Sequence, residues 1–227
     1  MHGTAGVSNI QIDPAILYFG TPVVLIGSTN EDGSFNLAPM SSAWWLGWRC
    51  MLGLARNSKT TVNMIRSGEC VLNLPSAQLA GAVDALARTT GSDPVPPGKI
   101  GRGYRHEKDK FGISGLTPLR GETVAAPRAT ECPVQIEAKL AHVHEIAQED
   151  DIWRGRQVAI EVRVTRVHAH PAIMMDGEPN RIDPDKWRPL IMSFQEFYGL
   201  TPQKLQRSEL AQIPETSYRP PGWQPAA

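Results

Sequence analysis

The hexapeptide Arg56–Thr61, "RNSKTT", follows an apolar run and opens a stretch with helical signals, so its chemistry is that of a helix start. The N–H groups of a first helical turn lack intrahelical partners and carry partial positive charge. Here Arg56, Lys59, Thr60 and Thr61 add cationic and hydroxyl donors around them. Such a place suits a phosphate. A plainer reading is structural: Ser58 caps the helix, Lys59 is solvated and Arg56 lays its stem along a sheet. A second stretch, "NLAPMSSAWW" (Asn36–Trp45), tips the choice. If it ends one strand beside the next, its amides and the Ser41 and Ser42 hydroxyls reach the same helix start, and Trp44 or Trp45 offers an aromatic wall. A ligand with a phosphate at one end and a flat heteroaromatic ring at the other satisfies both places.

Other constellations carry less. His142 and His144 share one face of a strand, and His168 and His170 one face of the next, a pattern with the look of a metal site. If those strands form a hairpin, His142 pairs near Glu161 and His168 lies about seven residues away, roughly 23 Å at ~3.3 Å per residue. No metal site is expected. "GKIGRGY" (Gly98–Tyr104) is not a dinucleotide fingerprint, since no strand precedes it and no helix follows. Ser41 and Ser42 have no histidine and carboxylate pairing visible in the sequence. Cys50, Cys70 and Cys132 form an odd set without CxxC spacing and read as core thiols.

The elements that must position these residues follow from pattern. "TPVVLIGSTNEDGSFNLAPMSS" reads as two strands around a turn at Asn30–Ser34, with Asp-Gly supplying positive φ. "CMLGLA" (Cys50–Ala55) and "ECVLNLP" (Glu69–Pro75) read as further strands. Between them Ser58 is a helix N-cap, Val62 and Ile65 share an apolar face, and Gly68 closes the helix. Ser76 caps a second helix through about Arg88. The stretch 89–103, rich in Pro and Gly, wraps as an ordered loop of the kind that is often functional. Val134, Ile136, Ala138 and Leu140 alternate along one long strand, as do Val158, Ile160, Val162 and Val164 along the next. "PDKWRPLIMSFQEFYGL" is aromatic and helix-compatible, and 214–227 is an extended tail. The class is β-rich α+β: a mostly antiparallel sheet curled into a barrel with helices at its end, one domain over 1–213.

At 227 residues and 24.9 kDa the chain supports one substantial core, and its 23 basic and 23 acidic side chains cancel, which points away from nucleic acid and anionic membranes. No apolar run approaches the roughly 18 residues of a membrane helix. "MHGTAGVSNIQIDPA" lacks the basic start and apolar core of a secretory signal, so a cytoplasmic protein is expected.

"TPVVLIGSTNEDGSFNLAPMSSAW" followed by "LARNSKTTVNMIRSGECVLNLP" resembles the flavin reductase-like, FMN-binding split-barrel family, which includes the flavoredoxins. The resemblance continues through "YRHEKDKFGISGLTPL", "ATECPVQIEAKL" and "VTRVHAHPAI", from about Tyr18 to Leu200. It implies a six-stranded antiparallel Greek-key split barrel that forms homodimers, with one FMN per subunit near the interface. Asn36 matches the family's asparagine at the start of the flavin loop, and Ser41 and Ser42 match its small polar positions. Trp44, or Trp45 if the loop is longer here, matches its aromatic. Arg56, Lys59, Thr60 and Thr61 match the phosphate and ribityl grip, with Thr60 and Thr61 competing for one hydroxyl role and Asn63 one turn beyond Lys59. Lys110 in "DKF" matches a lysine that approaches the flavin. His168 resembles a strand-end histidine that reaches the flavin in some members, and Phe194, Phe197 and Tyr198 match an aromatic region flanking it.

The implied activity is that of an oxidoreductase taking hydride from NAD(P)H onto FMN and passing electrons to a flavin, a metal complex or a protein acceptor. The alternative is a flavoredoxin-type electron carrier or a non-enzymatic FMN-binding module. The flavin does the chemistry, and no catalytic side chain is assigned beyond the candidate His168.

Overall fold

The computed structural model describes residues 9–223. Residues 1–8, where no leader is expected, and 224–227 of the expected tail lie outside the described residues. The main elements in chain order are β1 (Phe19–Pro22), β2 (Val24–Thr29), β3 (Phe35–Met40), β4 (Ala43–Leu46) and β5 (Arg49–Ala55). There follow α1 (Lys59–Ser67), β6 (Glu69–Leu74), α2 (Ala80–Ala85) and α3 (Lys110–Ser114). The long strands β7 (Val134–Glu145) and β8 (Gln157–Ala169) precede a hairpin of β9 (Leu190–Ser193) and β10 (Glu196–Gly199).

One antiparallel sheet orders its strands β3-β2-β6-β7-β8-β5-β4. Its two edges, β3 and β4, are consecutive in the chain, with only Ser41 and Ser42 between them. A flat seven-stranded sheet would be ~29 Å across, while that connection reaches ~10 Å at most, so the sheet must curl until its edges meet. The barrel sheet therefore has seven strands, not the six expected, because "AWWL" forms a strand of its own against β5.

Strand β2 is buried on both faces, which accounts for its unbroken apolar run. Val24 and Ile26 point into the barrel onto Leu52, Leu72, Ile136 and Ile160. Leu25 points the other way, onto Leu37 and the residues of the α2–α3 layer, Val83, Leu86 and Phe111. The expected turn is present: Asn30 N–H bonds Ser34 O at 2.8 Å and Gly33 has φ 82. The β7–β8 hairpin pairs His142 with Glu161 and His168 with Gln135, so the neighbouring His142 and His144 stand far along the strands from His168. Cys50, Cys70 and Cys132 are all buried, and burial pushes the Cys50 thiol up to about 12.

Three elements depart from expectation. Ser58 does cap α1, accepting from Thr61 N at 3.2 Å, and Gly68 ends it at φ 73, but Val62 and Ile65 face outward. The buried face is Thr60, Thr61, Asn63 and Met64. Most polar groups facing inward there are paired: Asn63 Nδ2 donates to Asn30 Oδ1 at 2.8 Å and to Ser28 at 3.2 Å, and Thr61 Oγ1 donates to Ala55 O at 2.8 Å, while Asn63 Oδ1 is buried without a partner. Ser76 makes no side-chain cap. A 3₁₀ turn, Ala77–Leu79, runs into a short α2, and Arg88 at φ 52 marks the end of the helical region.

The segment read as helix-compatible near the carboxyl end is instead the β9–β10 hairpin, since β1 offers β9 a strand partner that the isolated sequence does not reveal. Its two-residue turn holds Phe194 and Gln195 at φ 44 and 71. That conformation costs about 1–2 kcal/mol per non-glycine residue, and the Phe194 ring meets Phe19 edge-on with centroids 4.9 Å apart. The tail from Pro214 lies on its own chain: Trp223 packs on Trp48 with centroids 5.2 Å apart, Arg219 covers Trp223, and Arg181 pairs with Glu215 at 3.1 Å.

Candidate functional site

Where α1 begins, a cavity of about 220 Å³ opens between the barrel and the 86–110 excursion. Ile26, Leu54 and Leu86 give it apolar surface. One wall comes from the strand mouth and the helix start: Asn36, Lys59 and Thr60. Asn36 Nδ2 donates to Thr60 Oγ1 at 3.2 Å and to Ser28 Oγ at 3.3 Å, which leaves the Thr60 proton free to donate. Lys59 reaches the rim and pairs with Glu31 at 2.5 Å.

A second wall comes from the excursion: Arg88, Thr89, Thr90, Lys99, Tyr104 and Lys110. Lys110 is only 2% exposed, and its Nζ donates to Thr89 Oγ1. Burial, followed by repulsion from Lys99, lowers its pKa to about 8. Burial also lowers Lys99, whose Nζ donates to Thr90 Oγ1 at 3.1 Å. The walls meet at Gly91, where a Cβ would stand 2.8 Å from Asn36 Oδ1 and 3.1 Å from Lys59 Cγ, so the close approach requires glycine. Among the described residues, no aspartate or glutamate lines this cavity. Lined by four cations, it is built for an anion.

The structure brings Asn36, Lys59, Thr60 and Lys110 together on this cavity. The other candidates lie outside its lining. Thr61 sits beneath Thr60 and braces the cap, with its hydroxyl 2.9 Å from that of Ser58, and Asn63 is buried on Ser28 and Asn30. Arg56 pairs with Glu145. Ser41 and Ser42 form the link between the barrel edges, and the Ser42 carbonyl accepts from Gly53 N at 2.8 Å. Trp44 is exposed, while Trp45 packs on the barrel core with its Nε1 buried and unpartnered.

His168 lies on another cluster. Its Nε2 is 2.8 Å from Oε1 of Glu137, a fully buried carboxylate that also accepts from Glu122 N at 2.9 Å and the Thr123 hydroxyl at 2.7 Å. Phe194 occupies the β9–β10 turn. The residues that sequence reasoning missed are Arg88, Thr89, Thr90, Lys99 and Tyr104. Their signal was a long Pro- and Gly-rich loop that carries cations and hydroxyls but turns no acid toward the cavity.

The sequence profile of the flavin reductase like domain matches residues 16–183. The chain belongs to this family. This flavin reductase-like protein is 38% identical over 190 residues to the uncharacterized protein YdfE of Bacillus subtilis (strain 168), covering 84% of this chain and 88% of that one. Its fold matches the flavoredoxin of Desulfovibrio vulgaris (Miyazaki F) at a TM-score of 0.70 and 22% identity, covering 91% of this chain and 100% of that one. It matches nitrilotriacetate monooxygenase component B from Bacillus cereus at 0.69 and 17%, covering 89% and 100%. A putative flavin reductase with a split barrel domain from Shewanella frigidimarina NCIMB 400 matches at 0.63 and 19%, covering 83% and 85%. The curled seven-stranded sheet is thus the split-barrel fold, and the family implies a flavin cofactor. The residues of the cavity suit such a group, since they join an apolar surface to anion-binding donors, and at about 220 Å³ it would enclose part of a flavin nucleotide and leave the rest at its mouth.

Proposed function

We propose that this flavin reductase-like protein binds FMN in the cavity at the start of α1 and works as an NAD(P)H-dependent oxidoreductase. The observation that carries this reading is a cavity that combines a helix N-terminus, four cations and apolar surface without a lining carboxylate. Bound flavin supplies hydride acceptance from a reduced nicotinamide and onward electron transfer to a flavin, metal complex or protein acceptor. The chain's own residues bind and orient. The α1 N–H groups, Lys59 and Thr60 would hold the phosphate, with Asn36 fixing the Thr60 hydroxyl. Lys110 would keep a proton on Nζ facing an anionic group.

Because Lys110 has a folded pKa of about 8, below the ordinary lysine range, it is charged below that pH and loses its proton above it. An anionic ligand binds the charged form better, so FMN affinity is expected to be full near pH 7 and to weaken between pH 8 and 9.5. Titrations at several pH values, with Lys110→Met as the control, check this: a flat profile in the wild type removes Lys110 from the site.

The active form is proposed to be a homodimer. Val62 and Ile65 on α1, and Phe19, Phe194 and Tyr198 on the small sheet, are large apolar side chains left exposed on the single chain. Light scattering should give about twice the 24.9 kDa chain mass; a monomer at micromolar concentration contradicts this.

A further inference from the structure

We propose that the groove between the carboxyl-terminal tail and the end of β8 is a separate ligand site, for a planar aromatic molecule that carries one negative charge.

The tail builds this groove. Beyond its 3₁₀ turn at Glu215–Tyr218, Trp223 packs on Trp48, which lies just before β5, and Arg181 Nε donates to Glu215 Oε1 at 3.1 Å. Two hollows share Trp48, Asn180, Arg219 and Trp223. One, of about 590 Å³, also has Glu178 and Glu215 on its lining, which disfavours an anion there. The other, of about 670 Å³, takes its floor from Val167 and Ala169 of β8 and from Met174 and Ile182. Among the described residues, no aspartate or glutamate lines it. Its volume falls within the ~300–1,000 Å³ of small-molecule sites, and it has their make-up of apolar walls with few polar groups.

Those polar groups define the ligand. Arg219 lays its guanidinium over the Trp223 ring, 4.5 Å from the centroid, and among the described residues its side chain has no ion-pair or hydrogen-bond partner. The stack holds the guanidinium in place, and its planar fork matches a carboxylate with two N–H groups. Trp48 and Val167 remain 38% and 43% exposed, so an aromatic ring lying between them removes apolar surface from water. The groove shares no residue with the cavity at α1, whose lining includes Leu54. Trp48 and Leu54 stand at opposite ends of β5, roughly 20 Å apart at ~3.3 Å per residue. A ligand here does not touch a flavin held at α1, and the site stands independently of that reading.

The probe is 2-naphthoate, with neutral 2-naphthamide as its control, each titrated calorimetrically into the full chain with and without FMN. Saturable binding of one 2-naphthoate per chain is expected, equal with and without FMN and about tenfold tighter than the amide. Arg219→Gln should bring 2-naphthoate down to the affinity of the amide, Trp223→Ala should weaken both probes, and neither should change FMN affinity. Both substitutions lie in the tail, outside the buried clusters of the core. Failure of 2-naphthoate to bind, its displacement by FMN, or a preference over the amide that survives Arg219→Gln overturns the site. A light-scattering mass that halves in Trp223→Ala, with no 2-naphthoate bound by wild type, also overturns it and gives the groove to a second copy of the chain.

Discussion

Replacing Lys59 and Thr60 together by alanine is expected to weaken FMN binding by about 2–4 kcal/mol, from roughly 1.5–3 for a charge-assisted bond and about 1 for a hydroxyl. At ~1.4 kcal/mol per factor of ten, that is a loss of roughly thirty- to a thousandfold. Both side chains line the cavity, and Thr60 is oriented for donation by Asn36. Lys59 leaves its exposed partner Glu31 at little expense, because such rim pairs contribute only ~0–1 kcal/mol. Riboflavin, which lacks the phosphate, should bind wild type and variant alike. A fluorescence titration decides it: an unchanged FMN dissociation constant moves the phosphate away from α1, and an equal loss for riboflavin means that the cavity itself collapsed.

The second large effect is on stability. Glu137 sits fully buried in the middle of β7, and its carboxylate ties the 117–132 excursion to the barrel through Glu122 N–H, the Thr123 hydroxyl and His168. Thr165, the extra residue at a β8 bulge, donates its hydroxyl to the Glu137 carbonyl at 3.1 Å. Glu137→Ala orphans the Glu122 N–H, the Thr123 hydroxyl and His168, while the Thr165 bond to the backbone carbonyl survives, a change of the class that costs about 3–5 kcal/mol. At roughly 2–4 °C per kcal/mol for a chain of this size, the melting temperature should fall by about 10 °C. Burial alone would raise the carboxyl pKa, but the hydrogen bonds outweigh it and hold the group at about 2, below the ordinary 4.5. A depressed carboxylate stabilises the fold above its unfolded pKa and loses that contribution as pH falls through the folded one. Wild-type stability should therefore decline from about pH 4.5 toward pH 2, and the variant should show a flatter slope there. A melting temperature within a degree or two of wild type would show that the cluster is solvated and dispensable.

What the sequence made legible was governed by local rules. The Asp-Gly turn, the Ser58 and Gly68 caps and the alternation of β7 and β8 each follow from neighbours within a few residues. The β7–β8 register follows too, with His142 opposite Glu161. The Ser58 cap at the helix start was legible because capping chemistry is equally local, and the phosphate role proposed for it rests on that same local chemistry. What escaped was set by distant partners. The inward face of α1 is polar only because Ser28, Asn30 and Asn36 of the β2–β3 hairpin stand ready to pair with it. The "PLIMS" segment became a strand because β1, far back in the chain, supplies the edge it needs. Arg88 and Lys99 escaped for the same reason: they are widely spaced in sequence and join Lys110 on the cavity only when the excursion folds over the barrel mouth. Ser41 and Ser42 sit at the junction that closes the barrel, next to Gly53 rather than on the cavity lining.

The central claim is that this cavity holds a flavin that a reduced nicotinamide can reduce. Its most direct test is an anaerobic stopped-flow experiment on purified protein loaded with FMN, following the visible flavin absorbance after mixing with NADH and, separately, NADPH. Bleaching within seconds in the wild type, with Lys59→Ala/Thr60→Ala needing roughly thirty- to a thousandfold more FMN to reach the same bound flavin, is the predicted result. Flavin that binds but stays oxidised with both nicotinamides contradicts the oxidoreductase assignment and leaves an electron carrier, and protein that takes up no FMN contradicts the cofactor site itself.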